Sequence, residues 1–151
     1  MLLTLLAGGI VLLCAAFGLW RKRARDEQRE MEQHCITAEE LHELQFSQHD
    51  LLLYDVRLPL DLLTESEIIP GAQRFSPREI MENPSLVSKN RDVVVYCTCP
   101  SEESSREVLH RALALGFNQV KLLKGGLTAW KAKGYPVQPY KETFHLDVAH
   151  S

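Results

Sequence analysis

Short, predominantly apolar runs recur in the body of the chain. They cover residues 51–56, 93–96 and 119–123, and residues 72–75, after the turn at Pro70-Gly71, can make a further short strand. Runs of this length, rich in leucine, valine and aromatic residues, are typical of strands that are buried on both faces. Because they do not alternate with polar residues, parallel pairing is favoured. We therefore predict a central, mainly parallel sheet.

Helices are predicted between these strands. Thr37-Ala-Glu-Glu40 matches a capping box, and Ser76-Pro77 places a cap before a proline at the first helical position. After Ser101, apolar residues recur at helical spacing until Gly116, and Gly125-Gly126 opens a short last helix. Alternating strands and helices indicate an α/β domain with helices on both faces, whose site lies at the carboxyl ends of the strands.

The N-terminal segment has a different character. Residues 2–20 carry no charge and end in Trp20, and Arg21-Lys-Arg-Ala-Arg25 follows directly. A helix needs ~20 apolar residues to cross a bilayer, and flanking cations stay on the cytoplasmic side. We predict a single transmembrane helix with the N-terminus outside and residues 21–151 in the cytoplasm, at the inner membrane if the source is bacterial.

A cleaved signal peptide is the alternative for this segment. It fits less well, because the flanking positive charge follows the apolar run instead of preceding it. The predicted organisation is a transmembrane helix over 1–20, a polar helical stalk over 21–34, an α/β domain over 35–138 and a C-terminal tail over 139–151.

Composition narrows the possible functions. A length of 151 residues is typical of a single domain. The net charge of −3, without a basic stripe, gives no indication of nucleic-acid binding. The four cysteines form no Cys-x-x-Cys pair or regular framework, which favours a reducing compartment. No histidine pairs with a cysteine at zinc-site spacing, so we expect neither a metal nor another cofactor.

The candidate chemistry lies where the strand 93–96 ends. Cys97 and Cys99 follow this strand directly, and a helix begins a few residues later. Unpaired N–H groups and the positive end of the helix dipole favour a thiolate over a thiol at such a place. A thiolate is a nucleophile, although a buried cysteine that ends a strand also serves simply as a small apolar residue.

Five segments in this order resemble the rhodanese-like domain family. The resemblance covers about residues 35–138 and implies a three-layer α/β domain with a central, mainly parallel sheet. It also implies sulfur transfer, in which one cysteine takes sulfane sulfur as a persulfide and passes it to a thiol. The matching segments are Ile36-Thr-Ala-Glu-Glu-Leu41, Tyr54-Asp-Val-Arg57, Ile69-Pro-Gly-Ala72, Val93-Val-Val-Tyr-Cys97, and Gly116-Phe117 through Leu123-Lys-Gly-Gly-Leu-Thr-Ala-Trp130.

The cysteine loop departs from the family pattern. Active relatives usually carry an arginine five positions after the cysteine, whereas Arg106 follows Cys97 by nine positions. Glu102 and Glu103 lie in the same loop region, where their charge would repel thiosulfate and disfavour a thiolate. The absence of an arginine clamp at the usual spacing also argues against a phosphatase.

The sequence leaves the reactive cysteine open. The strand alignment favours Cys97, whereas spacing to Gly116-Phe117 favours Cys99, and a two-residue insertion in the loop reconciles the counts with Cys97. We predict that Asp55 and Arg57 support the site as an ion pair. The residues predicted to hold the substrate, through backbone amides of 98–102 and nearby polar groups, are Thr98, Pro100, Ser101, Glu102 and Arg106.

Together, the apolar N-terminal segment and the resemblance predict a membrane-anchored sulfurtransferase. Its expected partners are a sulfur donor and a thiol acceptor, with proteins among the candidates. The glutamates favour a protein or low-molecular-weight persulfide over thiosulfate as donor. Two alternatives stay open at this point. One is a catalytically inactive interaction module that recruits a partner to the membrane. The other is a Cys97-Thr98-Cys99 thiol-disulfide exchange protein.

Overall fold

The structure is a computed structural model that describes residues 2–48, 50–98 and 103–141. The chain divides into two compact units, residues 1–34 and 35–151. In the first unit, α1 (Leu2–Gln33) is one helix that continues beyond the apolar run into the charged residues 21–33. The predicted transmembrane helix is not supported, because among the described residues no helix is long and apolar enough to cross a membrane.

The second unit contains a parallel sheet with strand order β1-β6-β5-β2-β4, as well as a small antiparallel pair, β3 with β7. All pairings described within the larger sheet are parallel, as the predominantly apolar runs predict. The strands described in this unit are β1 (Cys35–Ile36), β2 (Leu52–Asp55), β3 (Glu67–Ile68), β4 (Gln73–Arg74), β5 (Val93–Tyr96), β6 (Val120–Leu123) and β7 (Gln138–Pro139).

Helices cover both faces of this sheet. The described helices of the unit are α2 (Ala38–Ser47), α3 (Pro59–Thr64), α4 (Pro77–Glu82), α5 (Glu103–Ala114) and α6 (Gly126–Ala132), with a 3₁₀ turn at Pro84–Leu86. α2 packs against α6, and their residues share one core with Val94 and Tyr96 of β5. α5 packs against α4, β5 and β6. Because successive strand residues point to opposite faces, Val93 and Val95 face the α5 side.

The two sequence-predicted caps are present. Thr37 Oγ1 accepts a hydrogen bond from Glu40 N (3.2 Å), and the Glu40 carboxylate accepts one from Thr37 N (2.8 Å). Ser76 and Glu79 form the same reciprocal pair at the start of α4. Each cap satisfies N–H groups that the first turn of a helix leaves unpaired, and this fixes where α2 and α4 begin.

The centre of the sheet is apolar and closed to solvent. Val93, Val95 and Val120 are fully buried, as is Trp130 on the α2–α6 side. Trp130 Nε1 donates to the carbonyl of Pro136 (2.8 Å), so the indole loses no hydrogen bond on burial. Each fully buried side chain of this size contributes about 1.5–3 kcal/mol relative to exposure. This core holds β5 rigidly, and the candidate site lies at the carboxyl end of β5.

Candidate active site

Cys97 lies directly after β5, at the edge of the sheet where the parallel strands end. Cys97 is only 1% exposed, and it forms no disulfide with another described cysteine. Its Sγ lies 3.2 Å from the hydroxyl oxygen of Ser105, and either atom can be the donor. When the sulfur is a thiolate, the hydroxyl donates to it and stabilises the charge. The structure therefore places a nucleophilic atom beside a hydroxyl group at the position where α/β sheets commonly carry their sites.

Ser105 belongs to the buried face of α5. It is fully buried, as are Val108 and Leu109, which follow it at helical spacing. Ser105 is not among the site residues predicted from the sequence. The helical spacing of Ser105 with the apolar residues of α5 could have indicated its role. A polar residue in line with the apolar stripe of an amphipathic helix faces the interior and needs a hydrogen-bond partner there.

The backbone of Cys97 is held from the opposite direction by the start of α6. Leu127 N donates to the Cys97 carbonyl at 3.0 Å. A Cβ atom on Gly126 would lie 1.9 Å from that same oxygen, so only glycine allows this approach. Gly125 and Gly126 also have positive φ, at 74° and 52°. This pair therefore serves backbone geometry and the close approach of α6 to Cys97.

Asp55 and Arg57 form a fully buried ion pair. Arg57 Nε lies 2.9 Å from both carboxylate oxygens, and Nη2 lies 2.5 Å from Oδ2. The guanidinium also donates to the carbonyls of Glu65 (2.7 Å) and Glu67 (2.8 Å). Burial alone would lower the pKa of Arg57, but the hydrogen bonds and charge of Asp55 raise it. The pair fastens the end of β2 to the segment that follows α3.

Tyr96 connects this ion pair to β5. Its hydroxyl donates to Asp55 Oδ2 (3.1 Å) and accepts a hydrogen bond from Ile69 N (3.2 Å). Burial, together with the negative charge of Asp55, raises the pKa of Tyr96 far above its ordinary value. The phenol therefore stays protonated and remains a donor. From the sequence, Tyr96 was predicted only as a strand residue, although a buried tyrosine normally requires a polar partner.

The remaining predicted site residues divide into two groups. Thr98 is half-buried beside Cys97, and Arg106 is exposed on α5, where its part in substrate binding stays a prediction. Cys99, Pro100, Ser101 and Glu102 lie outside the described residues. The choice between Cys97 and Cys99 as sulfur carrier is therefore not decided by the geometry. Among the described residues, no group of three or more His, Cys, Asp or Glu side chains is placed to hold a metal ion.

The fold and the position of Cys97 agree with the similarity to known proteins. The model of the rhodanese-like domain family matches residues 37–133, and the chain therefore belongs to the rhodanese-like domain family. A protein from Allochromatium vinosum named sulfurtransferase is 31% identical over 102 residues, which cover 68% of this chain and 92% of that protein.

Solved structures show the same fold. The solution structure of a rhodanese-like domain from Anabaena sp. is 26% identical and has a TM-score of 0.57, covering 78% of this chain and 97% of that chain. A protein of unknown function from Rhodopseudomonas palustris, described as a possible tyrosine phosphatase, is 21% identical with a TM-score of 0.58, covering 70% of this chain and 84% of that chain. At that identity the likeness concerns the fold alone.

Proposed function

We propose that the domain is a sulfurtransferase that carries sulfane sulfur on Cys97 as a persulfide and passes it to a thiol acceptor. The observation that carries this proposal is the placement of the Cys97 thiol against the Ser105 hydroxyl at the carboxyl end of β5. The similarity to the Allochromatium vinosum sulfurtransferase supports it. The hydroxyl supplies a hydrogen bond to a negatively charged sulfur, which both the thiolate and the persulfide anion require.

The reaction consists of two sulfur transfers without net oxidation. In the first, the Cys97 thiolate attacks the terminal sulfur of a donor R–S–SH, the S–S bond of the donor breaks, and R–S⁻ leaves. Cys97 then carries S–SH. In the second, an acceptor thiolate attacks this outer sulfur, the new S–S bond breaks, and the Cys97 thiolate is regenerated. Ser105 donates its hydrogen bond to the sulfur of Cys97 in both steps: it stabilises the attacking thiolate in the first and the departing thiolate in the second.

The donor class follows from charge. Glu102 and Glu103 add two carboxylates near the cysteine in sequence, and like charge disfavours the dianion thiosulfate. A protein persulfide or a low-molecular-weight persulfide has a smaller charge at the reacting sulfur. We therefore infer that the domain uses a persulfide donor in preference to thiosulfate.

Turnover by the full chain tests this proposal. The protein is mixed with a low-molecular-weight persulfide or with thiosulfate in the presence of excess acceptor thiol, and the release of sulfide or sulfite is followed. We expect turnover with the persulfide and its loss in Cys97→Ser. The matched control is Cys35→Ser, since Cys35 is a half-buried cysteine on β1. Turnover that survives Cys97→Ser would overturn the assignment of Cys97.

An interaction module without catalysis is the second candidate. The observation that favours it is the 1% exposure of Cys97, which is also typical of a cysteine that only fills space in a core. Folded, reduced protein that shows no turnover with either donor would support this candidate. If Cys97 and Cys99 instead serve thiol-disulfide exchange, mild oxidation of the same protein should produce a disulfide between them.

Location at a membrane, with the domain in the cytoplasm, remains a prediction from the charge pattern of residues 2–25. Fractionation of cells that express the full chain, combined with a topology reporter fused after Ser151, tests it. A reporter that is active only outside the cytoplasm would contradict the predicted orientation.

A further inference from the structure

Two cations share a cavity near the edge strand β4. The cavity has a volume of about 350 Å³ and is lined by Arg74 and Lys141 together with neutral residues, namely Ile68, Ala72, Gln138, Pro139 and Tyr140. No acidic side chain of the described residues lines it. A cavity of this size is at the lower end of the range for small-molecule sites. The described side chains that line the cavity therefore carry a net positive charge, and its volume suits a small ligand.

Arg74 contains a hydrogen-bond donor that the described part of the chain does not satisfy. Its Nε is buried and has no hydrogen-bond partner there, while its Nη2 donates to the Arg57 carbonyl at 3.4 Å. Most buried donors in native proteins have a partner, and an unsatisfied one destabilises the fold. An oxygen atom of a bound ligand would satisfy this donor.

The carboxylate nearest to Arg74 in the sheet register already has another cation as its partner. The sheet register pairs Arg74 with Asp55, but the Asp55 carboxylate binds Arg57 through both oxygens and also accepts from Tyr96. Glu67, on β3, binds Lys131 instead (2.6 Å). Within the described residues, neither Arg74 nor Lys141 forms an ion pair with a carboxylate. Two cations that face a common cavity without counter-charge favour an anion there.

The backbone fixes the geometry of this cavity. Tyr140 N donates to the Ser66 carbonyl (2.7 Å), and β7 pairs with β3, so the chain entering Lys141 is held against β3. Arg74 is the last residue of β4, which is hydrogen-bonded to β2. The two cations thus come from separate, anchored segments.

We propose that Arg74 and Lys141 form a binding site for a small oxyanion-bearing molecule. The planar guanidinium offers the fork that carboxylate, phosphate and sulfur oxyanions accept, and Lys141 adds a mobile point charge. Arg74 has the same sheet register as Tyr96, the residue before Cys97, with β2 between them. The site therefore lies at the same edge of the sheet as the candidate cysteine, but its existence does not depend on sulfur transfer.

Nuclear magnetic resonance of the full chain tests the site directly. The Arg74 Nε–H signal, assigned by its loss in Arg74→Gln, is followed during titration with inorganic phosphate, succinate or thiosulfate at constant ionic strength, with chloride as the reference. We expect a saturable shift with at least one of the three anions and none with chloride. The anion that shifts the signal at the lowest concentration identifies whether phosphate, carboxylate or sulfur oxyanion chemistry is preferred.

Variants distinguish specific anion binding at this site from the general attraction of anions to a positive charge. Backbone amide shifts report binding where the Arg74 signal is lost. We expect about tenfold weaker binding in Arg74→Gln, which removes a charge-assisted hydrogen bond, and about threefold weaker binding in the exposed Lys141→Gln. Lys89→Gln is the control, because Lys89 Nζ lies over the Phe117 ring instead. Equal binding by wild type and Lys141→Gln, or linear shifts that match those with chloride, would overturn the proposal.

Discussion

Two polar groups at the same edge of the sheet are built in different ways. In the cluster of Asp55, Arg57 and Tyr96, opposite charges are paired, and hydrogen bonds fasten them to two backbone carbonyls and one backbone amide. In the pair of Cys97 and Ser105, a thiol lies beside a neutral hydroxyl. The first arrangement rigidifies the backbone around β5, whereas the second places a hydroxyl beside the sulfur that we propose as the sulfur carrier. The cluster therefore serves stability, and the pair is the group to which the proposed function assigns reactivity.

Removing the guanidinium of Arg57 should have the largest effect on stability. Arg57→Met leaves the buried Asp55 carboxylate without a counter-charge, and we expect a loss of about 3–5 kcal/mol in the free energy of unfolding. Urea denaturation followed by circular dichroism measures it. Arg78→Met is the control, because Arg78 forms an exposed pair with Glu82 that is worth less than about 0.5 kcal/mol. Similar losses in both variants would contradict the assigned role of the cluster.

Gly126→Ala should follow in size, at about 2–4 kcal/mol, because the new methyl group would clash with the Cys97 carbonyl in a left-handed backbone conformation. Gly134→Ala is a matched control with φ of +72° and no atom within 4 Å of the new Cβ. It should cost only about 1–2 kcal/mol of backbone strain. If the two variants unfold at the same denaturant concentration, the close approach of α6 to Cys97 contributes nothing.

Tyr96→Phe should cost about 1–3 kcal/mol, because it leaves an Asp55 oxygen with one donor fewer. It should also change the pH dependence of stability. The pKa of Tyr96 is raised in the folded state, mainly by burial, so the folded chain keeps a proton that the unfolded chain loses above pH ~10. Stability then falls with rising pH by ~1.4 kcal/mol per unit for this group.

The pH measurement compares wild type and Tyr96→Phe between neutral and alkaline conditions. Burial also raises the pKa of Tyr54, so both proteins should lose stability at high pH. The slope of stability against pH should be smaller in Tyr96→Phe by ~1.4 kcal/mol per pH unit, which corresponds to one proton. Parallel declines would show that Tyr96 is not buried as a neutral phenol.

Ser105→Ala should have the smallest effect on stability, about 1 kcal/mol for one lost hydrogen bond. On reactivity it should have a clear effect, with transfer of sulfur to Cys97 slowed by about tenfold, which corresponds to about 1.4 kcal/mol. Stopped-flow measurement with a persulfide donor gives this rate, and Ser105→Thr, which keeps the hydroxyl, should restore part of it. Ser104→Ala is the control on the neighbouring buried serine. Equal rates in Ser105→Ala and Ser104→Ala would remove Ser105 from the site.

The main elements of the fold were predictable because their signals are local. The run 93–96 coincides with β5, and the reciprocal hydrogen bonds of Thr37 with Glu40 follow from a four-residue motif. β1, β3 and β7 contain two residues each, which is too short for any periodicity. Their pairing depends on segments that are distant in sequence, and no local pattern encodes it.

The site was predictable in part for the same reason. The position of Cys97 follows from the strand that precedes it. The pairing of Asp55 with Arg57 follows from their spacing of two, which places both side chains on one face of an extended segment. The contact between Cys97 and Ser105 depends instead on how α5 packs on β5, and the hydrogen bond from Tyr96 to Asp55 crosses between two strands. The N-terminal prediction was not supported, since in the described part of the chain no helix is long and apolar enough for a span.

The proposed function depends on Cys97 as the residue that carries sulfur. It is tested by peptide mass spectrometry of the full chain after exposure to a low-molecular-weight persulfide, with Cys97→Ser and Cys99→Ser treated in parallel. We expect one added sulfur on the peptide that contains residue 97, its discharge by an added thiol, its presence in Cys99→Ser and its absence in Cys97→Ser. A sulfur that persists in Cys97→Ser and disappears in Cys99→Ser, or no adduct at all in folded and reduced protein, would show that Cys97 is not the sulfur carrier.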